Sequence, residues 1–138
     1  MKYWLMKSEP RTWSWDQQVK VGAKGEGWDG VRNYQASNNM KAMKRGDLCF
    51  FYHSVKERDI IGIVKVKKEY HPDPTDKTKR FGMVSVVAVK SLKNRVNLNQ
   101  IKNDKRLCHL ALVKQSRLSV MPIDAKSWKI ICNLGGIK

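Results

Sequence analysis

Two short segments of the sequence combine polar side chains with aromatic or basic ones. The first is Lys7-Ser8-Glu9-Pro10, and the second is Trp28-Asp29-Gly30-Val31-Arg32-Asn33. Hydroxyl, carboxylate and amide groups can hydrogen-bond to the edge of a planar ligand, while an indole can stack on its face and nearby cations can hold a phosphate. These residue types therefore indicate a site for a nucleobase.

The five tryptophans also allow a purely structural interpretation. A buried tryptophan removes about 150–250 Å² from water, so we expect Trp4 and Trp128 in the core, and core packing is also the first interpretation of Trp13 and Trp15. Trp28 differs because glycines and charged residues surround it and no apolar stripe includes it. We predict that Trp28 forms a pocket wall with limited core packing, and the alternative is that it anchors the core.

An enzyme is the rival class of function. Among the candidate groups, His53 and Ser54 are adjacent on a predicted strand, where neighbouring side chains face opposite sides, and no nucleophile motif is present. His71 and His109 lack a companion at metal-ligand spacing, and the glycines at 22–27 match no phosphate-binding pattern. We therefore predict a binding domain without catalytic residues, metal or cofactor. The alternative is a small-molecule or nucleotide sensor, or an RNA-modifying type of enzyme, that uses the same pocket.

The charge balance points to a polyanionic partner. The 138 residues contain 28 Lys and Arg against 12 Asp and Glu, a net charge of +16. Such self-repulsion opposes compaction unless a polyanion or counterions relieve it, so nucleic acid is the first candidate and simple solubility is the alternative. The three cysteines have no paired spacing and lie in apolar contexts, which predicts core packing and a reducing compartment. No apolar run approaches the roughly 18 residues that span a bilayer, so we expect no membrane association.

The elements that must position the two polar segments follow from the residue pattern. Ser14 and Asp124 are predicted helix caps. The predicted strands are 3–6, 48–53, 60–66, 81–89 and 117–120, and the predicted helices are 16–21, 33–44, 98–103 and 124–134. Because strands and helices do not alternate and no long linker divides the chain, we predict one domain over residues 1–138. Its class is α+β, built on a curled sheet.

The sequence resembles the EVE domain family over nearly its whole length. Six blocks match that family in order: residues 3–10, 28–36, 43–47, 50–54, 70–75 and 117–122. The resemblance implies a PUA-like fold, a curled and mostly antiparallel β-barrel with flanking helices, related to YTH and ASCH domains. Eukaryotic members carry a basic tail before the first strand. Since this sequence begins at that strand, we expect a prokaryotic, cytoplasmic protein that acts as a monomer.

The resemblance also implies a function and a set of site residues. Family members are proposed or shown to bind modified bases, such as methylated or hydroxymethylated cytosine, in DNA more than in RNA. Carried over to this sequence, the base-binding and rim residues are Lys7, Ser8, Glu9, Trp28, Asp29, Gly30, Val31, Arg32, Asn33, His53, Ser54, Arg117 and Ser119. Trp28 would be the aromatic wall and Asn33 would read a base edge. Arg117 would hold phosphate, or alternatively pair with Glu9 or Asp29.

Overall fold

The computed structural model describes residues 1–137, which form six strands and five α-helices. The strands are β1 (Tyr3–Ser8), β2 (Glu26–Gly27), β3 (Leu48–His53), β4 (Asp59–Pro72), β5 (Gly82–Asn97) and β6 (Val120–Ile123). The helices are α1 (Trp15–Val21), α2 (Tyr34–Ala42), α3 (Leu98–Lys102), α4 (Ala111–Lys114) and α5 (Ala125–Leu134). The predicted α+β class is confirmed.

All six strands belong to one sheet with the order β2-β5-β4-β3-β1-β6. Strands β1 and β3 are parallel, with Ser8 opposite His53, and the other pairs are antiparallel. Within residues 1–137 no backbone pairing joins β2 to β6, so the observed sheet is open and closure into a barrel stays a prediction. The parallel pair brings the carboxyl ends of β1 and β3 to the same edge, where β4 and β6 begin.

Strand β3 is buried on both faces of the sheet. Its neighbouring side chains point to opposite faces, and each face is covered by aromatic side chains from another part of the chain. On one face Phe50 stacks on Trp128 of α5, with ring centroids 3.9 Å apart. On the other face Phe51 receives the edges of Trp15 and Trp28, at 5.2 and 5.5 Å. Helix α5 therefore covers one face of the sheet, and the segment from α1 to β2 covers the other.

Local sequence signals predict the helix starts well. Ser14 and Gln17 form a reciprocal capping box at α1, and Asp124 caps α5, as predicted. The last strand is β6 at Val120–Ile123 rather than 117–120. Pro122 is tolerated there because β6 is an edge strand.

Three other features differ from the sequence prediction. Strand β4 continues through Tyr70-His71-Pro72, which the prolines had marked as a loop. Strand β2 and helix α4 were not predicted, since two and four residues are too short to show a periodicity. Cys49 and Cys132 are buried as predicted, but Cys108 is exposed because it lies in a turn whose buried residue is its neighbour Leu107.

Candidate nucleic-acid interface

Backbone hydrogen bonds bring residues that are distant in the sequence together at the edge where β1 and β3 end. The Ser54 N–H donates to the Ser8 carbonyl at 2.9 Å, and the Lys7 N–H donates to the Ser119 carbonyl at 2.8 Å. These bonds extend the pairing of β1 with β3 and β6 by one residue each and bring four of the predicted site residues to one edge of the sheet.

A cavity of about 360 Å³, here called the indole cavity, opens beside this edge. Its lining residues are Lys7, Ser8, Glu9, Thr12, Trp13, Glu26, Gly27, Trp28 and Asp29. Five of them were predicted from the sequence. The other four, Thr12, Trp13, Glu26 and Gly27, were missed because they join the cavity only through the loop before α1 and the pairing of β2 with β5.

The indole cavity is acidic in a strongly basic protein. Three of the 12 carboxylates of the sequence line it, on Glu9, Glu26 and Asp29, against the single cation Lys7. None of these three carboxylates forms an ion pair with another residue in positions 1–137. The cavity therefore offers hydrogen-bond acceptors, which suit a ligand edge that carries N–H donors and do not suit phosphate.

Lys7 is held between this cavity and a second one. Its Nζ donates to the Ser116 carbonyl at 2.9 Å and lies 5.7 Å from the centre of the Tyr52 ring. Burial lowers the pKa of the Lys7 ammonium, because removal from water disfavours the charged form.

The second cavity, here called the basic cavity, has a volume of about 500 Å³. Its charged lining residues are four cations, Lys7, Arg58, Lys102 and Arg117, and no carboxylate lines it. The predicted rim residues Ser54 and Ser119 also lie here. Within residues 1–137 Arg117 forms no ion pair, so the alternative pairing with Glu9 or Asp29 is wrong.

Trp28 lines the indole cavity and is also part of the core. Only 7% of its surface is exposed, and its ring packs on Phe51. The backbone N–H of Trp28 donates to the Val84 carbonyl at 2.7 Å. The prediction of limited core packing is therefore wrong. Polar neighbours in the sequence did not reveal that β2, by pairing with β5, carries the indole over the sheet.

The rest of the Trp28–Asn33 segment is anchored to the loop after β4 through Asp73. The Asp73 carboxylate accepts from the Gly30 N–H at 2.9 Å and the Arg32 guanidinium at 3.1 Å, and also from Thr75. Burial alone would raise the pKa of Asp73, but these hydrogen bonds outweigh it and hold the pKa below its usual value. We call this arrangement the Asp73 clamp.

The Asp73 clamp corrects three predicted roles. Gly30, Val31 and Arg32 do not line the indole cavity. Gly30 has φ +79 and turns the chain, Val31 is buried, and Arg32 is engaged by Asp73. Asp73 itself was missed, although a Pro-Asp-Pro-Thr sequence is a known signal for an Asx turn.

Three further predicted site residues are engaged in local hydrogen bonds. The Ser8 hydroxyl donates to the Trp13 carbonyl and closes the loop after β1, so it can offer a ligand only its lone pairs. Asn33 caps α2 by accepting from the Ala36 N–H at 2.9 Å, and it lies outside the indole cavity. The Asn33 amide oxygen is therefore engaged in the helix cap, and the expectation that it reads a base edge is wrong.

His53 is buried and also lies outside the indole cavity. Its Nε2 accepts from the Trp15 N–H at 3.0 Å, which places the ring proton on Nδ1, facing Glu57 at 3.3 Å. The expected rim role of His53 is wrong, because both ring nitrogens already have partners that fix α1 and the turn after β3.

One cluster brings together a serine, a histidine and an aspartate. Both Asp124 Oδ1 and the Ser127 hydroxyl lie near the same His109 nitrogen, Nε2, at 2.9 and 3.3 Å. A catalytic triad needs the acid and the nucleophile on different ring nitrogens, and Ser127 is only 1% exposed. The cluster is the N-terminal cap of α5.

The loop between β4 and β5 encloses a third and larger cavity of about 690 Å³, lined in part by Lys41, Lys77 and Arg80. Asp76 points inward there and accepts from the Thr78 hydroxyl and from the N–H groups of residues 78, 80 and 81. The Thr78 hydroxyl and these backbone donors lower the pKa of Asp76 to about 2. Asp76 is buried and ionised, whereas Lys77, Lys79 and Arg80 are exposed, so the outer side of this loop is basic.

Residues 1–137 contain no group of three or more His, Cys, Asp or Glu side chains placed to hold a metal ion. No helix in the same range has both the length and the apolar composition needed to cross a membrane.

Comparison with known proteins places this geometry in a family. Human thymocyte nuclear protein 1 is 33% identical over an alignment 165 positions long, which covers 96% of this chain and 73% of that protein. Its structure in complex with DNA containing 5-methylcytosine has 30% identity and a TM-score of 0.91, covering 100% of this chain and 99% of that chain. The structure of a Rhodopseudomonas palustris protein has 51% identity and a TM-score of 0.93, covering 99% and 94% of the two chains.

A more distant similarity concerns the fold alone. The YTH domain of the Zygosaccharomyces rouxii MRB1 protein, solved with N6-methyladenosine RNA, has 16% identity and a TM-score of 0.57, covering 99% of this chain and 88% of that chain. The model of the EVE domain family matches residues 2–134, almost the whole sequence. The chain belongs to the EVE domain family.

Proposed function

We propose that this chain is a non-enzymatic nucleic-acid-binding domain that reads one modified base, such as methylated or hydroxymethylated cytosine in DNA, in the indole cavity. The observation that carries the proposal is an acidic, tryptophan-lined cavity in a protein of net charge +16. The human relative bound to DNA containing 5-methylcytosine supports the same ligand class.

The lining chemistry suits a modified cytosine. Carboxylates accept hydrogen bonds from the cytosine N4 amino group, and Glu9, Glu26 and Asp29 supply such acceptors. Indoles stack on a base at about 1–3 kcal/mol per base, and a 5-methyl group adds apolar surface for such a contact. The volume, about 360 Å³, lies within the range of small-ligand sites.

The basic cavity supplies the complementary contact to the nucleic-acid backbone. It shares Lys7 with the indole cavity and adds three arginine or lysine side chains without a carboxylate. A strand whose target base enters the indole cavity would place a neighbouring phosphate beside Lys7. Base contacts then provide specificity and phosphate contacts provide position and most of the affinity.

The absence of catalysis is part of the proposal. The groups that could act as base or nucleophile have structural partners: His53 bonds to Trp15 and Glu57, and the Ser8 hydroxyl donates to the Trp13 carbonyl.

The proposal also includes the fold, a PUA-like curled sheet within one domain. In support, β1 and β2 are separated by three strands in the sheet order and still line the same cavity.

The test is a binding panel of single-stranded DNA and RNA oligonucleotides that differ only at one cytosine, which is unmodified, 5-methylated or 5-hydroxymethylated. We expect a preference for one modified form. Glu26→Gln and Asp29→Asn should each lower the affinity for that form by about tenfold, as loss of a base-edge contact does. Asp16→Asn, at an exposed position of α1 outside the indole cavity, is the matched control and should leave this affinity unchanged.

Two results would contradict the proposal. One is equal affinity of the wild-type protein for all forms of the base. The other is a mass change of the oligonucleotide on incubation with the protein, which would establish catalysis.

A further inference from the structure

The turn between β3 and β4 contains an unusual valine. Val55 has φ +74 and Arg58 has φ +54, so two of the five turn residues are in the left-handed region. For a β-branched residue this region is a genuine outlier with a steric cost that glycine would avoid. An exposed valine alone is ordinary, but an exposed valine held in this conformation is not.

The surrounding structure enforces this conformation. The Ser54 N–H donates to the Ser8 carbonyl at 2.9 Å, which fixes the start of the turn on β1. The Leu98 N–H donates to the Arg58 carbonyl at 2.9 Å, which fixes its end, and Arg58 Nε donates back to the Val55 carbonyl at 3.2 Å. The turn is therefore held at both ends and across its middle.

The position of Val55 relates it to both cavities. Its side chain lines the basic cavity and the residue is 58% exposed. It follows Ser54, whose bond to Ser8 places the turn beside a residue that lines the indole cavity. An apolar residue on a turn held at both ends thus lines the same cavity as Lys7, Arg58 and Arg117, where the proposed function places the nucleic-acid backbone.

We propose that Val55 is a wedge that enters the base stack of a duplex at the place left by the extruded base. This inference rests on the proposed function and extends it from single strands to duplexes. Reading a base in a cavity requires its removal from the stack, which leaves a gap, and proteins fill such gaps with apolar side chains. The neighbouring cations would hold the phosphates on both sides of the gap while Val55 replaces the lost stacking.

The test compares one modified base in a duplex and in a single strand of the same sequence. The variants are Val55→Ser and Val55→Gly, and the matched control is Val89→Ser, at another exposed valine on β5. Affinity is measured for both substrates, and the fluorescence of 2-aminopurine placed beside the target base reports unstacking. Thermal unfolding is measured for each variant, and Val55→Gly should not lower Tm because glycine accepts a positive φ.

We expect both Val55 variants to lose about tenfold in duplex affinity together with the fluorescence increase, since the unstacking cost is no longer offset. The loss on the duplex should exceed the loss on the single strand by about tenfold, and Val89→Ser should change neither affinity. Equal losses on both substrates, no loss on the duplex, or no binding of a duplex by the wild type would overturn the wedge. Failure of the wild type to prefer the modified base in single strands would instead refute the proposed function.

Discussion

Replacing Asp73 should show whether base binding depends on the anchoring of the Trp28–Asn33 segment by a residue that does not itself contact the base. Asp73 has no exposed side-chain surface, it accepts from Gly30, Arg32 and Thr75, and it lies outside the indole cavity. Asp73→Ala should therefore destabilise the fold and weaken base binding together, because the chain that follows Trp28 loses its anchor.

The magnitude follows from the individual contacts. Loss of the hydrogen bond from the Gly30 N–H to the charged Asp73 carboxylate costs about 1.5–3 kcal/mol. Loss of the bonds to Thr75 adds about 0.5–1.5 kcal/mol. The ion pair to Arg32, whose side chain is 39% exposed, adds only about 0–1 kcal/mol because water screens it. The sum is about 2–5.5 kcal/mol, which corresponds to a Tm lower by about 5–20 °C for a chain of this size.

Urea and thermal unfolding of Asp73→Ala, Asp73→Asn and Arg32→Ala provide the assay, with oligonucleotide affinity measured on the same samples. Arg32→Ala is the matched control and should cost less than about 1 kcal/mol. An equal cost for Arg32→Ala and Asp73→Ala would refute the reasoning, since it would show that the ion pair, rather than the Gly30 anchor, holds the segment.

The pH dependence of the Asp73 clamp has a defined sign. The folded-state pKa of Asp73 is below its usual value, so its contribution to stability is complete above about pH 4 and is lost as the pH falls through the folded pKa. In unfolding measurements over a pH series, Asp73→Asn should remove this part of the acid sensitivity and leave the pH dependence of stability above about pH 4 as in the wild type.

Three more predictions concern the core, the charges and acid stability. Trp28→Ala should cost about 3–5 kcal/mol in unfolding free energy, whereas Trp28→Phe should keep the fold and lower base affinity, and a mild effect of the alanine variant would contradict its place in the core. Duplex affinity should fall about 100-fold between 50 and 200 mM salt if all four cations of the basic cavity contact phosphate, and a salt-independent affinity would exclude those contacts. Asp76 and Asp124 have pKa values of about 2, so their stabilisation should disappear between about pH 4 and 2, and unchanged unfolding curves over that interval would show that they contribute nothing.

Local signals explain which parts of the fold were predictable. Strand β3 was predicted with its observed limits, and the caps at Ser14 and Asp124 were also predicted, because each depends on neighbours within a few residues. The true position of β6 depends on pairing with β1, across more than 100 residues, which no local pattern reveals.

The candidate site was predicted only in part, for the same physical reason. Lys7, Ser8 and Glu9 follow a strand end, and a strand end is visible in the sequence. Glu26 lies at the indole cavity because β2 pairs with β5, with Glu26 opposite Val86, and no local pattern indicates a pairing between residues so far apart in the sequence. Asn33 has the right functional groups for a base edge, but the adjacent helix start competes for its oxygen.

The packing of Trp28 on Phe51 links recognition to folding in a way that constrains how this domain can change. A substitution that reshapes the indole wall also removes core contacts, so most such substitutions carry a stability defect whatever they do for the ligand. The exposed carboxylates of Glu9 and Asp29 carry no such penalty. Under the proposed function, a lineage of such domains can acquire new base preferences by exchanging those two acids while the aromatic wall stays the same. An engineered search for altered specificity should therefore vary positions 9 and 29 first.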